Sequence, residues 1–559
     1  MKAHLALALV GIAGVCSAAP LPRTLLFVDD EDVYYRSGTR KVVEPLVKHS
    51  SLPVVRPDKP WEGMIGWVSV YRDRRSGKFQ MWYQCYTPAV GGQAQWRIGD
   101  RQEKRPEDSR LRCVVAYAES TDGIAWTKPN LGLHSFYDFA DTNIVLVGNE
   151  RGYGDRYCNS VLVDLRDADP ARRYKMLYYD WDEDAPPHRG AGTRVAFSPD
   201  GVHWTKHGPM VSKTSFGAKG KQVPFADEGP YVEGPPKNGR PTRSWLVPLS
   251  MSDAQDVFYD DLKRRYVSYG KMWIQGPDGG THWKHGMGRM ESVDFLRWSK
   301  PQFILGPDDR DPPQHEFHTS PVFPYNGQYL SLNQILNRSA GTMDVELMTS
   351  RDGLNWQRPY VGRYSLARGA PGTFDAATLL TNGNPIDLGD DLYFYYGGYR
   401  GTAIGAVGLD RQVVGSDDLH SGIGLAKARR DRFAAIEPDP RFGLRNSLKV
   451  NRESIGKPAP TLAKPNRIGQ ATLRPLALDG VREITVNTNA ARGKVAVELL
   501  TEDGYRVRGF AKDDAVPIAA DVLAGPAAWK EKSLADLPPG RYMLRIHLDD
   551  AKLYAVTLK

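Results

Sequence analysis

The strongest regularity along the chain is a run of apolar and aromatic residues alternating with polar ones, each run preceded by an Asp- or Gly-containing turn. Examples are Asp73 to Tyr83, Arg172 to Tyr179, Lys263 to Tyr269, Tyr325 to Leu330 and Gly389 to Tyr396. A period of two with aromatic residues between turn residues predicts strands joined by hairpins. No stretch shows the three-to-four spacing of an amphipathic helix.

A second phrase follows each of these runs. It reads Glu119-Ser-Thr-Asp122-Gly123-Ile-Ala-Trp126, then Ser198-Pro-Asp200-Gly201-Val-His-Trp204. It returns as Glu291-Ser-Val-Asp294-Phe295-Leu-Arg-Trp298 and as Ser350-Arg-Asp352-Gly353-Leu-Asn-Trp356. A worn fifth copy spans Ala426 to Phe433, with Asp431. The Asp residues lie 78, 94, 58 and 79 positions apart. Each unit is therefore hairpin, connection, hairpin, or four strands. Five such units predict an all-β five-bladed β-propeller. The spacings exceed the roughly 40–45 residues of a minimal blade, so long loops are inserted. In the repeat, Asp accepts backbone N–H bonds, Gly supplies positive φ and Trp packs between neighbouring blades. The phrase resembles the Asp-box of sialidases, with Asp and Gly adjacent here instead of one apart.

After about Phe442 the character changes. Residues 446–465 are rich in Pro, Lys and Asn and read as a linker. Alternating runs at 483–487, 494–500, 542–548 and 553–558 then predict a small C-terminal β-sandwich over residues 466–559. At the other end, Met1-Lys2, an apolar stretch from Leu5 to Val15 and small residues after it read as a signal peptide of residues 1–18. That leaves the propeller residues 19–445. It also predicts export, to the periplasm or the extracellular space. The apolar stretch is too short to span a membrane.

Composition adds little to this. Hydrophobic residues make up 41% and charged residues 25%, so a packed core is expected. The formal net charge of +8 arises from 74 basic and 66 acidic residues without a basic run, which argues against nucleic-acid binding. Three cysteines follow the leader: Cys85, Cys113 and Cys158. They form no disulfide framework; Cys85 and Cys113 either pair or are buried as small apolar groups.

A propeller followed by a sandwich resembles the glycoside hydrolase superfamily of invertases, levanases, arabinanases and agaro-oligosaccharide hydrolases, and exported invertase-like proteins of polysaccharide-degrading bacteria. The resemblance is one of architecture over nearly the whole mature chain. The Asn-Asp-Pro-Asn-Gly and Glu-Cys motifs of invertases have no counterpart, and Arg166 to Pro170 only echoes their Arg-Asp-Pro. The resemblance implies hydrolysis of a glycosidic bond by two carboxyl groups, placed where the innermost strands begin.

The residues before each such strand supply the candidates. They are Trp61 and Glu62, then Asn159, then Asp253 and Asp256, then Glu316 and His318, then Asp375. Asp253, Glu316, Asp375 and Asp256 are the candidate catalytic carboxylates, with Glu316 as the acid and Asp253 or Asp375 as base or nucleophile. A turn-capping role is the plainer reading for any one of them. The connection from Lys271 to Arg289 is unusually rich in Trp, His, Lys and Arg. From it Lys271, His282, Trp283, His285 and Arg289 join Trp61, Glu62, Asn159, His318 and Arg338 as candidate substrate contacts. The His-x-x-His pairs lie on strands or loops, which do not bring both rings to one face as a helix does. No metal or cofactor is therefore expected, and the expected partner is a carbohydrate. The activity expected is that of a glycoside hydrolase on a plant or algal polysaccharide or oligosaccharide. The alternatives are a non-catalytic carbohydrate-binding propeller and a lyase using a His or Tyr base beside Arg289 or Arg338.

Overall fold

A computed structural model describes residues 22–87, 113–136, 138–148, 159–180, 192–208, 211–213, 231–237, 240–245, 251–274, 276–277, 284–401, 417–441 and 467–559. The leader, the linker, Cys158, His282 and Trp283 lie outside the described residues. Among the described residues the chain is almost wholly β, interrupted by two short 3-10 turns at Pro170–Arg172 and Leu534–Asp536. It divides into two units, Val43–Phe433 and a second formed by the N-terminal residues to Val42 with Ala434–Lys559.

In the larger unit the alternating runs form antiparallel meanders. Sheet one comprises Met64–Arg72, Phe79–Tyr86, Cys113–Ser120 and Ile144–Val147. Sheet two begins with Ser160–Val163 and continues through Tyr174–Asp180 and Gly192–Ser198 to Thr205–Lys206. Sheet three runs Met251–Asp260, Arg265–Ile274, Lys284–Ser292 and Gln302–Leu305. Sheet four sets His315–Phe317 and Val322–Tyr325 against Gln328–Asn337, followed by Thr342–Ser350. Sheet five runs Thr378–Thr381, Asp391–Tyr399 and Ser421–Arg429, and Val47–Lys48 from the start of the unit closes its outer edge.

The repeated turn joins these sheets into a ring. In its first copy Asp122 Oδ1 accepts the Ile124 and Ala125 N–H groups, and Trp126 Nε1 donates to the Gly123 carbonyl. The same carbonyl accepts Tyr395 O–H from sheet five at 2.7 Å. The second copy offers the Gly201 carbonyl to Trp82 Nε1 of sheet one at 2.6 Å. In the third, the Asp294 carbonyl accepts from Arg172, which precedes the second strand of sheet two. In the fourth, the Gly353 carbonyl accepts Tyr269 O–H of sheet three. In the worn fifth, the Asp431 carboxylate accepts Tyr325 O–H and Asn326 N–H of sheet four. Each sheet is thus latched to the one before it, and the first to the fifth. The Trp side chains pack edge-on at these junctions, Trp126 on Tyr395, Trp204 on Trp82 and Trp356 on Tyr269.

The first strands line the axis and lie at matching levels. Ser69 Oγ accepts the Val161 N–H, and Ser160 Oγ donates to Asp256 Oδ1 at 2.5 Å. One apolar cluster draws on all five sheets through Met64, Val161, Ala254, Leu336 and Leu380, so the axis is filled. Cys85 and Cys113 are buried free thiols. Cys113 lies opposite Tyr86 while Cys85 lies opposite Val114. That offset of one puts the two sulfurs on opposite faces of the sheet, so they do not pair.

The smaller unit differs from the sequence expectation in its membership. The strand Arg23–Leu26 pairs with Lys552–Leu558, and Val33–Ser37 pairs with Ile468–Leu473. The first described strands, assigned by sequence to the propeller, therefore belong with the C-terminal segment. Two antiparallel sheets share one core containing Leu25, Phe27 and Ile436 with Val486, Leu499, Leu544 and Leu553. Sequence reading missed this because strand pairing across more than 400 residues leaves no local signal. The unit's single Trp529 is buried in that core and donates to the Val497 carbonyl.

Candidate functional site

Where the first strands of sheets three and four begin, six of the candidate residues come together. The strand Met251–Asp260 carries a bulge between Met251 and Gln255, in the register against its neighbour. Bulges re-aim side chains at strand ends and beside sites. Asp253 lies within this bulge, 4% exposed, and its Oδ1 is 2.6 Å from Lys271 Nζ of the adjacent strand. From sheet four the strand His315–Phe317 brings in Glu316, 1% exposed. Glu316 accepts the His285 backbone N–H at 3.1 Å and bonds His285 Nδ1 at 3.0 Å. It also accepts a hydrogen bond from the Arg338 guanidinium. The Arg338 side chain keeps nearly half its surface exposed, so this is the open side of the cluster.

The electrostatics define the protonation states. Burial pushes the Glu316 carboxyl up, but the His285 hydrogen bond and the Arg338 charge outweigh it and hold it at about 2. Burial, reinforced by the nearby cations Lys271 and Arg338, lowers His285 to about 4. His318 is lowered to about 3, by burial first and then by Lys271. At neutral pH both imidazoles are uncharged and Glu316 is an anion. Since carboxylates only accept, His285 donates through Nδ1–H and its Nε2 carries a lone pair. That Nε2 is buried and has no hydrogen-bond partner among the described residues. His318 Nδ1 lies 3.0 Å from Gln334 Oε1, and Gln334 Nε2 donates to the Thr381 carbonyl. The amide is thereby oriented, and His318 too turns a bare Nε2 away from Gln334.

Two aromatic rings border the histidines. Trp273 lies against His285 with ring centroids 3.7 Å apart, and Trp67 against His318 at 5.7 Å. Trp67 is an extra residue between Gly66 and Val68 in its strand and has φ of +48°. A bulky residue in the left-handed region costs on the order of 1–3 kcal/mol and persists only where its surroundings over-determine it. Here that conformation aims the indole at His318. Trp67, Trp273 and Gln334 were missed as site residues; a Gly inside a strand pattern, Gly66, is a bulge signal that would have found Trp67.

The remaining candidates lie elsewhere. Asp375 is buried and bonds Lys48 Nζ at 2.6 Å, Tyr396 O–H at 2.9 Å and Thr373 Oγ1 at 2.8 Å. Its side chain bonds within sheet five and the loop before it, not with the histidine cluster. Asp256 sits on the axis, where burial raises its pKa against the donors Ser160 and Gly383, and it fastens sheets two, three and five together. Asn159 is fully buried, and neither of its amide atoms has a partner among the described residues. Trp61 and Glu62 are not sugar contacts in this structure: Trp61 is 2% exposed and Glu62 is wholly buried. Trp61 donates to Asn143, while Glu62 accepts from Tyr83 O–H at 2.6 Å and Lys128 Nζ at 2.7 Å. Both are therefore engaged in packing sheet one. Arg289 is four residues beyond His285 on the same strand, a displacement of roughly 13 Å. It bonds Glu291 at 2.7 Å and lies over Tyr269, which places it outside the cluster. Nor is Glu316 a carboxyl of raised pKa, which a general acid at neutral pH needs. Its neighbours are not aromatic alone; a histidine N–H and a guanidinium stabilise the anion. Among the described residues no three His, Cys, Asp or Glu side chains are grouped to hold a metal ion.

No protein-family model matches the chain. No curated protein matches it either. Among solved structures it resembles one described as a glycoside hydrolase, at 13% identity and a TM-score of 0.44, over 69% of this chain and 92% of that one. A second is an N-acetylgalactosamine deacetylase from F. plautii in complex with blood group B trisaccharide, at 16% identity and a TM-score of 0.39, over 71% and 97%. A third is a thermostable family-43 glycoside hydrolase, at 13% identity and a TM-score of 0.37, over 66% and 92%.

Proposed function

We propose that this protein is an exported enzyme that cleaves glycosidic bonds in a polysaccharide or oligosaccharide. Its five latched sheets are read as the blades of a five-bladed β-propeller and its two-sheet unit as a β-sandwich. The observation that carries the proposal is the convergence of Asp253 and Glu316, two buried carboxylates from different sheets, in one cluster with two histidines, two cations and two tryptophans. Glycoside hydrolysis needs two carboxyl groups flanking the bond, one as acid and one as base or nucleophile. Asp253, paired with Lys271 at 2.6 Å, suits the second role. Glu316 takes the first once a sugar hydroxyl draws the half-exposed Arg338 away, because burial is then less opposed and raises its pKa.

A second reading is favoured by one observation, the Glu316–His285 pair. A carboxylate that fixes the tautomer of a neutral imidazole leaves Nε2 as a base. On a uronic acid residue, that base would remove the proton next to the carboxylate. Arg338 would stabilise the resulting charge while the bond to the leaving oxygen breaks, leaving an unsaturated sugar. The two readings are separated by assaying the purified protein on a panel of neutral and acidic glycans. Hydrolysis releases reducing ends without ultraviolet absorbance; elimination releases both together. Asp253→Asn and Glu316→Gln are each expected to lower turnover by about 100-fold or more. Tight binding to one glycan without turnover of any would replace both readings by a non-catalytic carbohydrate-binding protein.

A further inference from the structure

We infer that the opposite end of the ring carries a second site, one that binds the sulfate or carboxylate groups of an acidic glycan. The candidate catalytic cluster lies where the first strands begin. Where they end, at Arg72 of sheet one and Val163 of sheet two, two adjoining cavities of about 560 and about 730 Å³ open. They share Tyr71, Arg74 and Val163 along their walls. Five arginines line them. Arg166 is paired with Asp164 and Asp261; Arg72, Arg74, Arg75 and Arg173 have no ion-pair partner among the described residues.

The acidic groups beside them are already committed. Asp73 accepts the Arg75 and Ser76 N–H groups of its own turn. Asp164 is bonded to Tyr266 O–H and to Arg166, and Asp387 to Arg430. Asp73 keeps its charge and acts on Arg75, but one carboxylate against the four unpaired guanidinium groups leaves the groove net positive. The Nε atoms of Arg72 and Arg173 are also buried without any acceptor. A buried donor left unsatisfied costs about 1–3 kcal/mol, which an oxyanion bound in the groove would recover. The rest of the wall suits a sugar ring, since Tyr71 offers an aromatic face and Val161, Leu162 and Pro385 offer apolar contact. The identity of the ligand as a glycan rests on the function proposed above; the recognition of an anion does not.

The test measures equilibrium binding of the full chain to three probes: oligogalacturonate, a sulfated galactan oligosaccharide and a neutral galactan oligosaccharide. A DNA oligonucleotide serves as a fourth. The variants are Arg74→Glu/Arg75→Glu, whose side chains are exposed, the milder Arg74→Ala/Arg75→Ala, and Glu316→Gln. The expected result is binding of one or both acidic probes that weakens with salt and falls at least 10-fold in the charge-reversed variant. The milder variant should lose an intermediate amount, Glu316→Gln should lose none, and the two acidic probes tell a carboxylate site from a sulfate site. Unchanged binding in both double variants at an unchanged melting temperature would overturn the site. So would an equal loss in Glu316→Gln, or DNA binding as tight as that of the acidic glycans. Loss of acidic-glycan binding in a chain that cleaves no glycan would keep the site and discard the proposed activity. Glycan cleavage without binding at the groove would do the reverse.

Discussion

Glu316 and His285 make the cluster's acid sensitivity calculable in sign. Glu316 has a folded pKa below its ordinary 4.5, so its stabilisation is complete above that value and is lost as pH falls toward about 2. His285 is held neutral, so its contribution is complete above about pH 6.5 and is lost as pH falls toward about 4. The melting temperature should therefore fall on acidification below pH 6.5, and less steeply in His285→Gln than in the natural protein. A thermal melt series from pH 7 to pH 4 checks this, and equal slopes would count against a buried neutral His285. If His285 Nε2 is the base, activity should rise through an apparent pKa near 4, and Glu316→Gln should displace that limb. The thiols make a simpler case. Burial pushes Cys85 well above its ordinary pKa. Cys85 and Cys113 should resist thiol reagents in the native protein and react once it is unfolded, read by mass-spectrometric mapping of the labelled cysteines.

Among elements, the repeated turn matters most for the ring. Gly201 has φ of +83°, and a methyl group there would lie 2.5 Å from the Trp82 ring of the neighbouring sheet. Gly201→Ala combines strain in the left-handed region with this clash. It should destabilise the protein by more than about 1 kcal/mol, read from a chemical denaturation midpoint. Asp122 and Asp200 were legible as turn residues because the motif is local: every bond their carboxylates make lies within three residues. The partner of each turn, on the preceding sheet, was not legible, since Tyr395 lies 272 positions from Gly123. The strand Arg23–Leu26 was misplaced for the same reason. Its partner is the last strand of the chain, and its own four residues carry no mark of that pairing.

At the scale of the whole molecule, the two ends of the chain build one unit. Deleting residues 466–559 would remove the partners of Arg23–Leu26 and Val33–Ser37 and uncover Leu25, Phe27 and Ile436. That truncation should lower soluble yield and melting temperature, whereas glycan affinity of any soluble remainder should stay nearly unchanged. Loss of binding to polymer without loss of stability would instead make the smaller unit a carbohydrate-binding module. The period-two patterning and the five copies of one turn determined the all-β character and the division into repeats, because both depend on residues within a few positions of one another. They also placed Asp253, Glu316 and His318 near the starts of first strands, whereas Lys271 and His285, read as part of a connection, lie in the strands Arg265–Ile274 and Lys284–Ser292, and Arg338 follows the end of Gln328–Asn337. Only the tertiary structure decided which of those carboxylates converge. It did so through a bulge at Asp253 within sheet three, the Arg338 guanidinium on Glu316 within sheet four, and His285 and Trp67, which reach sheet four from sheets three and one. It also decided that Trp61 and Glu62 face into packing, because a side chain's exposure depends on what the rest of the chain brings against it.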